Sequence, residues 1–198
     1  VSAPRTARIE RHTRETRIEL SLDLDGASPG HIETSVPFLD HLLSQVARHG
    51  RLGLAVAAHG DVEADVHHLA EDLGIVLGEA LDAALGAREG IERFGAATVP
   101  LDETLVEVVL DLSGRAGAYL EIRGERALLL GSPGVAIEHV EEFLAGLARG
   151  GRLTCHVRSL RGHNTHHQLE STAKALGRAL WAATRPAAGG IPSTKGSL

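Results

Sequence analysis

The chain has 198 residues, 43% apolar and only 3% aromatic, with a net charge of −6 when His is counted neutral. That length fits one domain, or two fused half-domains sharing a core that Leu, Val, Ile and Ala must build. The negative balance argues against bulk nucleic-acid binding through charge, and the lack of any run of 18 apolar residues argues against a transmembrane helix.

Residues 5–12 and 15–24 alternate polar and apolar. In Thr16-Arg17-Ile18-Glu19-Leu20-Ser21-Leu22-Asp23-Leu24 the period is two, which predicts a half-buried strand stopping at Asp25-Gly26. A short strand is expected over 31–36, closed by Pro37, and then a helix over 38–48 with Phe38, Leu42, Leu43 and Val46 inward. A strand at 53–58 and a long amphipathic helix over 65–85, ending at Gly86, complete this half. The order then recurs: strands at 95–100, 103–112 and 118–123, a helix over 135–148, a strand at 152–159 and a helix over 163–184. The expected fold class is α+β, with two internally duplicated half-domains (about 1–92 and 93–185), each a sheet carrying helices on one face. Residues 186–198 are rich in Gly, Pro, Ser and Ala, and composition alone predicts a flexible tail.

The repeat carries chemistry. His67-His68-Leu69-Ala70-Glu71 and His166-His167-Gln168-Leu169-Glu170 are two copies of His-His-x-x-Glu, each followed by similar helical text. A lone His precedes each, His41 by 26 residues and His139 by 27. Imidazole and carboxylate are ligands for first-row metals, and on a helix positions i, i+3 and i+4 share a face. Adjacent imidazoles diverge by roughly 100°, so His67 and His68 are expected to serve different ions, as are His166 and His167. Six His and two Glu suffice for two sites of three His and one Glu, with ligands drawn from the other cassette or another subunit. A single such motif reads more simply as surface histidines; its repetition, with flanking Leu, Gly and Ala retained, favours metal binding. His12, His31, His49, His59 and His156 read as structural or surface residues. His163 is left out as a ligand. Cys155, alone, forms no internal disulfide, rules out Cys-based zinc and Cys-x-x-Cys chemistry, and sits in an apolar-alternating segment that predicts burial. The N-terminus, Val1-Ser2-Ala3-Pro4-Arg5, does not read as a signal peptide, and a reducing cytoplasm is the expected compartment.

Over nearly its whole length the chain resembles the imidazoleglycerol-phosphate dehydratases, manganese enzymes of histidine biosynthesis. The resemblance is carried by Arg14-Glu15-Thr16, Pro37-Phe38-Leu39-Asp40-His41, His49-Gly50, Asp65 to Asp72, Gly90-Ile91-Glu92-Arg93-Phe94-Gly95, Pro100-Leu101-Asp102-Glu103, Asp111 to Arg115, Asn164-Thr165-His166-His167 and Pro192-Ser193-Thr194-Lys195-Gly196. Residues 124–137 depart from the family pattern, and Glu141-Glu142-Phe143 follows His139 where aromatics are usual. The assignment of His139 therefore leans on the internal repeat.

The resemblance implies a fold of the ribosomal protein S5 domain 2 kind. It also implies two Mn²⁺ per subunit and a large homo-oligomer, with twenty-four subunits in family members and metals at subunit contacts. The implied metal ligands are His41, His67, His68, Glu71, His139, His166, His167 and Glu170. Glu15 is implied as the acid/base, and Gln45, Arg93, Arg115, Lys174, Ser193 and Lys195 as the substrate and phosphate ligands, with the tail acting as a lid. The implied reaction removes water from imidazole glycerol phosphate to give imidazole acetol phosphate. It would pass through a metal-bound imidazolate and a diazafulvene, because no carbonyl acidifies the proton that must be lost. No room remains for the additional phosphatase domain of some relatives. Rival readings are a non-catalytic metal-storage protein, a metal-dependent phosphate hydrolase and a nucleic-acid-binding module. The first leaves Glu15 and the Arg93, Arg115, Lys195 set without a role, and charge and missing stacking aromatics oppose the last.

Overall fold

The structure, a computed structural model, describes residues 4–26 and 30–194. The first half comprises β1 (Thr6–His12), β2 (Thr16–Asp23), β3 (Ile32–Glu33), α1 (Pro37–Gly50), β4 (Gly53–Gly60) and α2 (His67–Leu85). The second repeats it with β5 (Phe94–Leu101), β6 (Thr104–Asp111), β7 (Gly117–Glu121), α3 (Ile137–Gly150), β8 (Thr154–Arg161) and α4 (Thr165–Thr184). The sheets have matching orders, β1-β2-β4-β3 and β5-β6-β8-β7, and in each the third strand pairs parallel to the fourth. The α+β class and its duplication are thus as expected.

Alternation explains the layering. β2 buries Thr16, Ile18, Leu20 and Leu22 on one face, and β6 buries Thr104, Val106, Val108 and Leu110. Each buried aliphatic side chain contributes about 1.5–3 kcal/mol. Helices cover these faces: α2 lies on β1 and β2, and α4 on β5 and β6. Across the middle the halves meet helix to helix, α2 against α3 and α1 against α4. The order of layers is sheet, helices, helices, sheet, and the core is shared between the halves.

Glycines set how closely these helices approach. A Cβ built on Gly78 would lie 2.6 Å from the Leu147 carbonyl oxygen and 2.4 Å from Gly151 N. At Gly177 it would lie 2.5 Å from the Val46 oxygen and 2.8 Å from Gly50 N. Gly78 and Gly177 are repeat equivalents, so Val46 corresponds to Leu147 and Gly50 to Gly151. This packing sets the register of α3 on α2 and of α1 on α4, and the candidate site depends on it.

Two expectations change. The strand foreseen over 31–36 shrinks to β3 because Thr34 turns the chain into α1. Its amide and hydroxyl both donate to Asp40 Oδ1, at 2.8 and 2.5 Å, and Ser35 adopts φ 62°. The start of the tail is also pinned. Ile91 and Pro186 form an isolated antiparallel bridge, Ala187 N donates to Gly90 O at 2.9 Å, and Gly90 N donates to Gly190 O at 3.2 Å. Composition does not report such backbone pairing. Lys195 lies outside the described residues.

Candidate metal centre

Both His-His pairs occupy the first turn of a helix, held there by caps. On α4 the Asn164 side chain accepts from His167 N at 3.2 Å. On α2, Asp65 Oδ1 accepts from His67 N at 3.1 Å. Such caps satisfy amides that the helix start leaves open. The planes of the adjacent rings stand at 90° for His67 and His68 and at 88° for His166 and His167.

The first group lies between α1 and α4. His41 Nε2 and His166 Nε2 face the same Glu170 oxygen, Oε2, at 3.1 and 3.0 Å. Lys174 Nζ takes the other oxygen at 2.7 Å. Burial pushes the Glu170 carboxyl up, but hydrogen bonds from Lys174, His41 and His166 outweigh it and hold the group at about 2. The Phe38 ring packs against both imidazoles, with centroids 5.9 and 5.2 Å away.

The second group lies between α2 and α3. It consists of His67, Glu71 and Glu142. His67 Nε2 is 3.9 Å from Glu71 Oε2, while Arg149 on α3 holds Glu71 Oε1. In each group, one atom from every member lies within 4.8 Å of the others. Three half-buried donors converging in this way fit a divalent cation. His, Asp and Glu atoms are ordinary ligands for Mn²⁺ and Zn²⁺.

His139 is in neither group. Its Nδ1 accepts from the Ala136 backbone N–H at 3.1 Å, so the proton resides on Nε2, 3.1 Å from Asp65 Oδ1. The ring is buried, caps the start of α3 and offers no lone pair. Glu142, which sequence reading passed over, stands in the group instead. Its signal was present: Ala47-Arg48-His49-Gly50 aligned with Ala148-Arg149-Gly150-Gly151 pairs His41 with Glu142. Spacing between histidines pointed to His139.

His68 and His167 meet partners outside these two groups. His68 Nδ1 lies 3.3 Å from both Asp61 oxygens and 3.7 Å from Glu15 Oε2; the Asp61 hydrogen bond raises its pKa. His167 Nδ1 lies 2.8 Å from Glu103 Oε2, and that bond holds the Glu103 carboxyl at about 2. Glu103-Thr104 repeats Glu15-Thr16, each Glu beside the second His of its cassette. Glu103 is thus the repeat counterpart of Glu15, a correspondence that the Glu-Thr pairs carry in the sequence.

The residues expected to hold phosphate do not gather in one place. Lys174 pairs with Glu170, and Gln45 lies one turn beyond His41 on α1. Arg93 grips Asp111 at 2.7 and 3.1 Å and donates to the Pro192 carbonyl at 2.8 Å, beside Ser193. Arg115 Nη2 is 3.8 Å from the same Asp111. Arg93 N bonds Ala183 O near the end of α4, roughly 20 Å along that helix from Glu170. Cys155 is buried, and desolvation raises its thiol to about 12, which leaves it inert.

A duplicated α+β fold holding two paired helix contacts, each with a convergent His/Glu donor set, defines the class: a candidate dinuclear-metal protein. The family model for imidazoleglycerol-phosphate dehydratase matches residues 34–180. The imidazoleglycerol-phosphate dehydratase of Thermus thermophilus is 53% identical over 98% of this chain and 100% of its own length. That of a Marinomonas species is 48% identical over 99% and 100%. The crystal structure of the Pyrococcus furiosus enzyme, in complex with (S)-C348, superposes with a TM-score of 0.81 at 37% identity, covering 96% of this chain and 100% of that one. The Staphylococcus aureus enzyme gives 0.78 at 35%, covering 91% and 99%. The chain belongs to the imidazoleglycerol-phosphate dehydratase family, and it is an enzyme, a hydro-lyase of histidine biosynthesis.

Proposed function

We propose that this chain dehydrates imidazole glycerol phosphate to imidazole acetol phosphate, in the cytoplasm, with two Mn²⁺ per subunit and within a large homo-oligomer. The observation that carries the reading is the pair of convergent donor sets, His41/His166/Glu170 and His67/Glu71/Glu142, in a chain of this family. Cations bound there supply Lewis acidity to the substrate's imidazole ring, the electron sink that the reaction requires.

The chain's own residues divide the remaining work. Each in-chain group offers three donors, and the second imidazole of each cassette meets other partners, His68 with Asp61 and His167 with Glu103. His68 and His167 therefore complete groups on neighbouring copies. The separation of Lys174 from Arg93 and Arg115 supports the same conclusion, since one small phosphate cannot span both ends of α4. The phosphate is bound by Lys174, with Gln45 nearby, and by Arg93, Arg115, Ser193 and Lys195 of other chains. Arg93 must exchange part of its Asp111 pairing for the anion. Glu15, 3.7 Å from His68, is the proton carrier; its reach to a metal-ligating ring supports that role. The tail acts as the lid. Its anchor, the bond from Arg93 to the Pro192 carbonyl, links phosphate binding to closure over the site, which excludes water.

The decisive experiment incubates the purified oligomer with imidazole glycerol phosphate, with and without Mn²⁺, and follows both the ketone product and free phosphate. Mn²⁺-dependent ketone formation with the phosphate retained is the expected result. Phosphate release would establish the hydrolase reading, and metal binding without turnover the storage reading. Deleting residues 190–198 should leave folding and metal content intact but lower turnover by orders of magnitude; unchanged kinetics would make the tail a bystander.

A further inference from the structure

The two donor sets are built on equivalent helix contacts, yet they are chemically different. Packing makes Glu142 the counterpart of His41: Gly78 meets Leu147 and Gly151 as Gly177 meets Val46 and Gly50, and five residues back from Val46 and from Leu147 stand His41 and Glu142. The α1–α4 group therefore offers two imidazoles and one carboxylate, and the α2–α3 group one imidazole and two carboxylates. The second set is also the looser, with His67 Nε2 3.9 Å from Glu71, where His166 lies 3.0 Å from Glu170. Any imidazole from a neighbouring copy adds equally to both and leaves the difference in place.

Building on the two-cation reading above, we propose that the two sites sort metals. The α2–α3 site, through Glu142, is the hard-ligand site that holds Mn²⁺ against Zn²⁺, and the α1–α4 site is the one that Zn²⁺ captures first. The chemistry follows from donor type. Imidazole favours Zn²⁺ strongly over Mn²⁺, whereas carboxylate oxygen suits the harder ion and discriminates less. The extra negative charge of Glu142 also strengthens any divalent cation's attraction without favouring the softer one.

The test uses the intact oligomer loaded with two Mn²⁺ per chain. Zn²⁺ is titrated in, and released Mn²⁺ is followed by its electron paramagnetic resonance signal. Displacement should occur in two steps of one equivalent each, separated by about tenfold or more in free Zn²⁺. Glu142→His should bring the steps together, the late one moving to lower Zn²⁺. Glu142→Gln, which preserves shape and removes charge, should weaken Mn²⁺ at one site only and serves if the His variant does not assemble. His139→Ala should retain both Mn²⁺. A single displacement step in the native oligomer, two steps unmoved by Glu142→His, or loss of one equivalent in His139→Ala would each overturn the proposal. None of these readouts uses turnover, so the dehydratase reading stands or falls separately, on the ketone assay.

Discussion

The α1–α4 contact and the α2–α3 contact are two versions of one device. In both, a first-turn His and a Glu one turn later face a donor from the partner helix, and the carboxylate shares its oxygens, one with imidazole and the other with a basic side chain. In one, Lys174 on α4 itself holds Glu170; in the other, Arg149 reaches across from α3 to hold Glu71. The difference is the donor brought by the facing helix, His41 or Glu142. Duplication therefore conserved the helix packing, which sets where ligands stand, more strictly than the ligand chemistry.

The largest effects should come from removing the shared element of each contact. His67→Ala and His166→Ala should each lower turnover by about a thousandfold or more, because a metal's contribution amounts to several kcal/mol. Each should also reduce bound Mn²⁺ toward one per chain, as read by elemental analysis. Full metal content in either variant would break the assignment of that contact. Next come the glycines. A Cβ at Gly74 would lie 2.1 Å from the Phe143 oxygen, and one at Gly177 2.5 Å from the Val46 oxygen. Gly74→Ala and Gly177→Ala should destabilise by about 1–3 kcal/mol or more, Gly74 the more severely. Thermal unfolding of both would show whether the two contacts are equally intolerant. A smaller loss, about 1 kcal/mol, is expected for Asn164→Ala, which uncaps α4. It should loosen metal at the α1–α4 site and spare the other, a pattern calorimetric metal titration can resolve.

The smallest effect lies at the surface link between the halves, where Arg5 bonds Asp25 and the Thr184 carbonyl. The Arg5 hydrogen bond holds the Asp25 carboxyl below its ordinary 3.8. The lowered value means this stability is present above that pH and lost as pH falls below it. Asp25 is largely exposed, so Arg5→Ala should cost under about 1 kcal/mol at neutral pH. Denaturant melts at pH 7 and pH 3 should show the gap between variant and native protein narrowing in acid; a gap that widens would contradict the sign.

The sequence by itself determined the elements and much of the two candidate donor sets. Period-two text in 16–24 and helical text in 65–85 became β2 and α2, because alternation and the 3.6-residue turn are local properties. His67, Glu71, His166 and Glu170 were legible for the same reason, since each pair lies within one helical turn. Tertiary structure alone decided what crosses between helices. His139 and Glu142 sit three residues apart on one helix, and although the repeat aligns Glu142 with His41, helical periodicity does not say which of the two faces the partner helix. Only the approach of α3 to Gly74 and Gly78, and the Ala136 and Asp65 partners that occupy both His139 nitrogens, turn one toward the cation site and the other into a cap. The tail divides in the same way. Its composition reads as flexible, but the bonds to Gly90 and from Arg93 depend on backbone groups brought close by the fold, and composition carries no record of them.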